Sequence, residues 1–573
     1  MAKVFKKKLK DKRVFILFLL VVFFGAVVRF VLVNRFGLNS QEALLGYRAF
    51  SLAQTGKDET GRNLPLIFTS FSDFQLPLPT YLTLPAVKLF GLSKIVVRLP
   101  FLISGVLAIV SIFFITKELF PEKKSAAFWA GIFAALSPGL IFFSQVAFAE
   151  GMSLAFFLAG FVFLLKKYQR KKSFFWGAII FFLFSLYSSK SAWFFLFPFL
   201  VFWLIYNKFA VTSLKVFIIV TIFFLPFLFI FFRLPSAKQS FLENDLTFFS
   251  DMGIRNAINM MRGEEIRYGL PFLGRLFYNK SFWLIKFLEN FLRHFTPRFF
   301  FAAGDQNLLH GFSNFGPVPL VGLLPALLGL VDLMRNKDER LKILFSWFTF
   351  AVFPSVLMIK SPDQLKFLFS LPVVIILIGL GISKWKNQKV FLLFLVILTF
   401  NFLFVFFDIY AKEKIRSEKE FGYGFSNLAL WMEENNWQKF EKIYITDRYV
   451  SDPLPLLLFY FRYPPGHFIC QIQVKSEPNF REWLNKLDNI QVGRPNEFQV
   501  NPGEKALFVI TPEEEKSFLY RFVLLDKIGR PTNEKCYKLE RIIRGLAGKS
   551  LLQIASSIDD NCFLIEDKAA KND

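Results

Sequence analysis

Apolar runs of about twenty residues alternate with short stretches rich in Lys and Arg over roughly the first 410 positions. A helix rises about 1.5 Å per residue, so about twenty residues cross the hydrocarbon core. On that measure the pattern predicts membrane spans near 14–33, 99–117, 126–143, 149–165, 174–189, 191–206, 215–233, 316–334, 342–359, 367–383 and 389–408. The first follows a Lys-rich start, as a signal peptide would, but it is too long for one and lacks a cleavage site, so it is expected to remain as a span. The run from 126 to 165 is long enough for two crossings, and Ser137-Pro138-Gly139 sits where a re-entry turn is needed.

The connections orient these spans. With the N-terminus inside, the inner loops are Lys3–Arg13, Lys117–Lys124, Lys166–Lys172, Asn207–Lys208, Arg335–Lys342 and Ser383–Lys389. They are short and nearly all basic, as cytoplasmic loops are. The outer loops are Ser137–Glu150, Tyr187–Lys190 and Lys360–Lys366, plus two long ones at 34–98 and 234–315. About eleven spans put everything after residue 409 outside. That tail, 410–573, reads as a soluble α/β domain: Phe425–Asn436 and Phe480–Leu487 look helical, while Lys442–Thr446 and Ala506–Thr511 look like buried strands. The expected fold is therefore a polytopic α-helical membrane protein with a C-terminal extracytoplasmic α/β domain.

Composition narrows the class. Of 573 residues 54% are hydrophobic and 19% aromatic, with 82 Phe, which excludes a disordered chain, a collagen and a disulfide scaffold. The formal charge of +25 would suggest nucleic acid in a soluble chain, but here it collects in the inner loops, and no nucleic-acid partner is expected. The three Cys (Cys470, Cys536, Cys562) permit at most one internal bond and read as free, buried thiols. Neither they nor the three His (His294, His310, His467) make a CxxC or HExxH spacing. No internal repeat is evident, which disfavours a transporter built of two halves.

The first outer loop is the most informative stretch. From Asn39-Ser40-Gln41-Glu42 to Gly56 its apolar positions recur at helical spacing and Gly56 is placed as a C-cap, so an amphipathic helix on the outer membrane face is expected. Then follow Phe71-Ser72-Asp73-Phe74-Gln75-Leu76-Pro77-Leu78-Pro79, Gly91-Leu92-Ser93, Val97-Arg98-Leu99-Pro100 and Lys117-Glu118-Leu119-Phe120. One span, a long outer loop with an acidic helix start, an aromatic–acidic–Pro-Leu segment and this entry to the second span resemble the GT-C-fold glycosyltransferases of family 39. That family includes protein O-mannosyltransferases and bacterial lipid A aminoarabinose transferases. The likeness in layout covers residues 10–410; it is dense over 34–160, with a weaker echo at Gly304-Asp305-Gln306-Asn307 to His310.

The resemblance implies a transferase that uses a polyprenyl-phosphate sugar at the outer face. It implies an Asp-Glu pair at the head of the first outer loop, where this chain has Gln41-Glu42, so the Asp is lost. It matches a further family acid to Asp73, although the Lys that accompanies it in the family is replaced here by the Gln75-Leu76 region. It matches another to Glu150, while the Arg usual in that segment is Gln145.

The chemistry can be reasoned separately. Sugar transfer from a lipid phosphate needs a base for the acceptor hydroxyl, cations for the departing phosphate and a site that excludes water. Partial burial at the membrane boundary raises a carboxylate's pKa toward neutral, which suits a base. Glu42 and Glu150 are the candidate catalytic acids. Gln41, Asp73, Arg98, Lys190, Asp305 and His310 are candidates for binding the donor and its phosphate. A divalent metal could bridge the phosphate oxygens, with Asp73 and His310 the first candidates to hold it.

Each has a plainer explanation. Glu42 could be the N3 partner of a capping box begun by Asn39. Glu150, Arg98 and Lys190 could be solvated or snorkelling at span ends. Asp73 and Asp305 could belong to turns, and His310 could be a surface histidine. The expected donor partner is a polyprenyl-phosphate sugar; the acceptor is an envelope glycan, lipid or protein hydroxyl, and membrane lipids surround the spans. The rivals are a lipid or sugar transporter and a non-catalytic scaffold of the same fold.

Overall fold

The computed structural model describes residues 2–70, 73–167, 172–233, 252–269, 272, 276, 278, 280–305, 307–312, 314–413, 415, 418–450, 452–474, 486–494, 498, 505–514, 522–525, 531–535, 537–544, 549–557 and 562–564. Each predicted apolar run contains helix, although that at 316–334 is helical only from Leu320 and that at 342–359 only to Val356. The membrane part begins with α1 (Ala2–Leu32). The first outer loop holds α2 (Ser40–Thr55), a hairpin of β1 (Phe68–Ser70) and β2 (Asp73–Gln75), and α3 (Pro77–Phe90). Next come α4 (Lys94–Leu119), α5 (Lys124–Leu136), α6 (Pro138–Gln145), α7 (Ala149–Lys167), α8 (Lys172–Ser188), α9 (Lys190–Tyr206) and α10 (Val211–Arg233). Then follow α11 (Met252–Arg267), α12 (Lys280–Arg293), α13 (Leu323–Arg335), α14 (Arg340–Val356), α15 (Leu371–Ile382) and α16 (Gln388–Asp408).

Among the described residues four helices are long and apolar enough to cross a membrane: those at Lys94–Leu119, Ala149–Lys166, Val211–Arg233 and Gln388–Lys412. The pair α5–α6 adds a fifth if counted as one bent span, and shorter apolar helices lie at Ile16–Leu32, Phe174–Ser188, Lys190–Tyr206 and Leu368–Ile382. The chain is a multi-pass membrane protein.

The expected re-entry turn at Ser137-Pro138-Gly139 is a bend of 53° between α5 and α6. The chain extends at Val146, the residue after α6, and α7 begins at Ala149. Proline at the first position of α6 cannot donate to the preceding turn, so carbonyls at the end of α5 are released. Arg29 of α1, wholly buried, takes up two of them: Nη1 donates to Ala135 O at 3.1 Å and Nη2 to Ala134 O at 3.3 Å. A cation at a helix C-terminus also answers the helix dipole.

Helix α2 forms where the sequence places it. Asn39 and Glu42 complete a capping box, and Gly56 ends the helix in the left-handed conformation at φ 71°. It does not lie on a lipid surface as expected. Residues 42–49 and Ser51–Leu52 are all buried, because α2 is enclosed by α3, α4 and the C-terminal region. Gly46 sits against Val97 and Phe459, where any side chain would collide.

The C-terminal region is a mixed β-sheet with helices. Its strands are β3 (Lys442–Thr446), β4 (Lys486–Leu487), β5 (Ile490–Gly493), β6 (Ala506–Ile510), β9 (Tyr537–Arg544) and β10 (Ser550–Ser557), in the order β4-β5-β3-β6-β10-β9. Strand β3 runs parallel to β5 and β6, and the other pairs are antiparallel. A separate small sheet joins β7 (Phe522–Leu525), β8 (Pro531–Lys535) and β11 (Cys562–Leu564). Among the described residues three α-helices accompany it: α17 (Tyr423–Glu434), α18 (Leu454–Tyr460) and α19 (Pro465–Val474). Of the helix expected over 480–487, residues 480–485 lie outside the described residues, and Lys486–Leu487 are strand, paired with β5. Cys470, expected to be buried, is an exposed free thiol on α19. Leu44, Leu45, Phe425, Leu456 and Phe459 belong to one apolar cluster, so α2 is a shared wall between membrane part and sheet. Each such Leu or Phe contributes about 1.5–3 kcal/mol when fully buried.

Candidate functional site

The two acids ranked as bases have opposite surroundings. Glu42, one turn into α2, is buried against Arg98 of α4, which is also fully buried. Arg98 Nε donates to Glu42 Oε1 at 2.8 Å and Nη2 to Oε2 at 2.7 Å. The rest of the guanidinium is spent on backbone: Nη1 donates to Val33 O at 2.8 Å and Nη2 to Gly37 O at 2.6 Å. Glu42 also accepts from Ala147 N at 2.7 Å and from Asn39 N at 3.3 Å. The pair thus ties together the end of α1, the start of α2, α4 and the turn before α7. It satisfies itself, as a buried ion pair must.

Glu150 opens α7 and lines a cavity of about 470 Å³. Its neighbours in the wall include Gln41 of α2, Gln75 of β2, Lys190 at the first position of α9, and Asn307 and His310 of the loop before α13. Lys360, Asp363 and Lys366 come from the loop between α14 and α15. Lys366 Nζ is 3.7 Å from Glu150 Oε1. Gln75 Oε1 is buried with no hydrogen-bond partner. Apolar wall is supplied by Leu45, Leu76, Pro79, Phe148 and Leu365. Three lysines in one wall with Glu150, of which Lys366 is the one beside it, make a site for an anion with a base nearby.

His310 anchors the cavity's third chemical group. Its Nδ1 lies 3.1 Å from Asp363 Oδ2. Asp305, buried, accepts Asn307 N and Gln364 N at 2.9 and 2.8 Å. Burial works against the charged imidazole of His310, but its bond to Asp363 and the charges of Asp363 and Asp305 outweigh that, so its pKa is raised. Burial acts to raise Asp363, yet the His310 contact and Lys366 bring it below the usual carboxylate value. Asp305 is raised, first by burial and then by the charge of Asp363. Asp305, His310 and Asp363 each offer one donor atom, all within 4.8 Å of one another. Two carboxylates and an imidazole are a fitting donor set for Zn²⁺ or Mn²⁺.

Of the residues singled out from the sequence, Gln41, Glu150, Lys190 and His310 meet in this cavity. Asp305 stands behind His310. Glu42 and Arg98 form the buried pair and do not line it. The backbone of Asp73 is in β2, two residues from Gln75, and its side chain lies outside the described residues. The metal-ligand group places His310 with Asp363 and Asp305. Gln145, where the family has Arg, is wholly buried and neither of its amide atoms has a partner. Lys360, Asp363 and Lys366 were missed. A signal existed: two lysines and an aspartate stand in a short loop that the charge pattern of the sequence assigns to the outer side, where lysines are expected to be few.

Residues 75–232 match the dolichyl-phosphate-mannose-protein mannosyltransferase family. The match begins at Gln75 and takes in Glu150 and Lys190. The fold resembles the crystal structure of ArnT from Cupriavidus metallidurans in the apo state, with TM-score 0.54 and 13% identity over 96% of this chain and 98% of that one. The same protein bound to undecaprenyl phosphate gives TM-score 0.55 and 13% identity over 95% and 98%. No curated protein sequence matches the chain. The resemblance to membrane GT-C glycosyltransferases of the family 39 type therefore stands, in sequence over part of the chain and in fold over nearly all of it.

Proposed function

We propose that this protein moves a sugar from a polyprenyl-phosphate donor to an acceptor hydroxyl on the outer face of the membrane, with inversion at the anomeric carbon. The observation that carries the reading is where the cavity's polar residues come from. Gln41 and Gln75, Glu150, Lys190, Asn307 and His310, and Lys360, Asp363 and Lys366 lie on five different loops. Each of the five is one that the positive-inside pattern assigns to the outer side. That convergence supports a cytoplasmic N-terminus and about eleven crossings, with 1–409 as the transferase domain and 410–573 as an outer domain that selects the acceptor.

In this reading the donor's phosphate lies among Lys190, Lys360 and Lys366. Glu150 accepts the proton of the acceptor hydroxyl as its oxygen bonds to the anomeric carbon. The bond from that carbon to the phosphate oxygen breaks, and the lysines take up the charge that develops on the leaving polyprenyl phosphate. The apolar wall keeps water from competing for the sugar. A divalent ion held by Asp305, His310 and Asp363 would add Lewis-acid charge near the phosphate. Glu42 and Arg98 hold the turn that presents Glu150 rather than reacting themselves.

The test is transfer of labelled sugar from synthetic polyprenyl-phosphate donors by the purified protein in proteoliposomes. Transfer by wild type and its loss in Glu150→Gln is the expected result. A specific observation favours a second reading: the neutral Gln41 stands in the cavity where the family has Asp. A wild-type protein inert with every lipid-phosphate donor, yet still binding polyprenyl phosphate, would make it a non-catalytic scaffold.

A further inference from the structure

Helix α12 has three distinct faces. At about 100° per residue, Leu284, Ile285, Leu288 and Leu292 share one sector with Phe295 just beyond the helix end, and all five are exposed, Leu292 by 64%. Lys286, Glu289 and Arg293 share the next sector and pair with one another around the Glu289 carboxylate. The third sector faces protein. Phe287 packs on Phe353 of α14, and Asn290 and His294 are fully buried.

A helix packed against protein needs one apolar face, and this one has two. At fourteen residues it is about 21 Å long, too short to cross a bilayer. Apolar and charged faces side by side suit a helix lying in the plane of the interface. Its apolar stripe adjoins further exposed apolar surface: Phe295 packs on Phe348 of α14, whose Phe345 and Phe353 are also exposed. Between positions 280 and 298 Lys280, Lys286, Arg293 and Arg298 outnumber the single acid Glu289, which suits anionic headgroups.

The buried face is latched to the cavity. Asn290 Nδ2 donates to Val356 O at 3.0 Å and to Met358 O at 3.2 Å, carbonyls at the end of α14. His294 Nδ1 is 2.8 Å from the carbonyl of Asn290, so it carries the proton there. Nε2 then accepts the hydroxyl of Ser355 at 2.8 Å, and Ser355 Oγ accepts Asp363 N at 2.8 Å. Helix α12 thereby holds both sides of the loop that brings Lys360, Asp363 and Lys366 to the cavity.

We propose that α12 lies in the headgroup layer of the bilayer, its Leu284–Leu288–Leu292 stripe among the acyl chains, and that Asn290 and His294 pass this seat to the 357–366 loop and so set the depth of its lysines. The partner is the lipid surface. Asn290 and His294 are positioning residues. Only the importance of that depth rests on reading the cavity as a donor site.

The experiment uses the full chain with Cys470, Cys536 and Cys562 replaced by Ser, in vesicles of phosphatidylglycerol and phosphatidylethanolamine. Nitroxide labels are placed through Leu288→Cys or Glu289→Cys. At a depth of about 5–10 Å the Leu288→Cys label should collide with dissolved oxygen far more than with a water-soluble nickel chelate, and the Glu289→Cys label the reverse. A Leu288→Cys label as open to the chelate as its neighbour overturns the proposal. So does one closed to both reagents, which would mean that another protein covers the stripe. A label at Ile359→Cys should become more mobile when Asn290→Ala is added, while the Leu288→Cys label keeps its depth. An unchanged Ile359→Cys spectrum overturns the latch. Neither readout depends on sugar transfer, so an inert enzyme would defeat the proposed function and leave this inference standing.

Discussion

Glu42 and Glu150 each stand in the first turn of a helix, and both were candidates for the base, yet their surroundings give them different work. Glu42 is spent: Arg98 and two backbone amides take its oxygens, and neither Glu42 nor Arg98 lines the cavity. Glu150 looks into an open space with lysines around it. The contrast shows that an acid at the start of a helix is not enough to identify a base. What decides is whether folding has already consumed the carboxylate. The two are also linked, since the amide that Glu42 holds belongs to Ala147, three residues before Glu150.

The largest effect that could break this contrast is on rate. Glu150→Gln should lower kcat by about 10²–10⁴-fold, the usual worth of a general base, with thermal stability in detergent unchanged. Retained transfer in Glu150→Gln would return the role of base to another group. Glu42→Gln should act on stability instead. It leaves the Arg98 guanidinium buried without its counter-charge, which costs about 3–5 kcal/mol. Thermal unfolding in detergent should show it, and Glu42→Gln combined with Arg98→Met should recover part of the loss. If Glu42→Gln melts like wild type but cannot transfer sugar, the two acids have been assigned the wrong way round.

Much of the first half of this contrast was legible in the sequence. Asn39 and Glu42 announced a capping box, Gly56 announced the helix end, and both formed. The pairing of Glu42 with Arg98 was not legible, because no periodicity links residues 56 positions apart. The burial of α2 was missed for a related reason. Its amphipathic pattern shows that it has an apolar side, but the groups that cover the rest come from far along the chain: Gly46 meets Phe459 of α18, and Glu42 meets Arg98. Ser40 Oγ donates to Asp452 O at 2.6 Å. The cavity was half legible. Gln41, Glu150, Lys190 and His310 stood at loop positions that motif or charge singled out. Lys360, Asp363 and Lys366 follow no motif, and only their breach of the charge rule could have pointed to them.

Lysine substitutions sharpen the cavity side of the comparison. Lys366→Met removes a cation beside Glu150 and should weaken donor binding by about 1.5–3 kcal/mol, the range for hydrogen bonds to charged groups. That is roughly ten- to a hundredfold in KM for the lipid donor. Lys384→Met is the control. It pairs with Asp332 of α13, outside the cavity wall, and should leave KM unchanged. Equal effects from both would mean that net charge, and not the cavity, governs donor binding.

The smallest expected effect concerns the metal, and it separates the two regions because, among the described residues, the group of donors includes His310 and Asp363 of the cavity wall and not Glu42. If Asp305, His310 and Asp363 bind a divalent ion, Mn²⁺ or Zn²⁺ at ten times its Kd should stabilise the fold by about 1.4 kcal/mol, seen as a higher Tm that EDTA reverses. Asp363→Asn should abolish the shift, since it removes a charged oxygen donor and the acceptor that orients His310. Glu42→Gln, although less stable throughout, should keep the full shift, because its partners are all nitrogen donors already engaged. A shift lost in Glu42→Gln and kept in Asp363→Asn would move the ion to the buried pair. No shift in wild type at all would leave the three lysines to neutralise the phosphate alone.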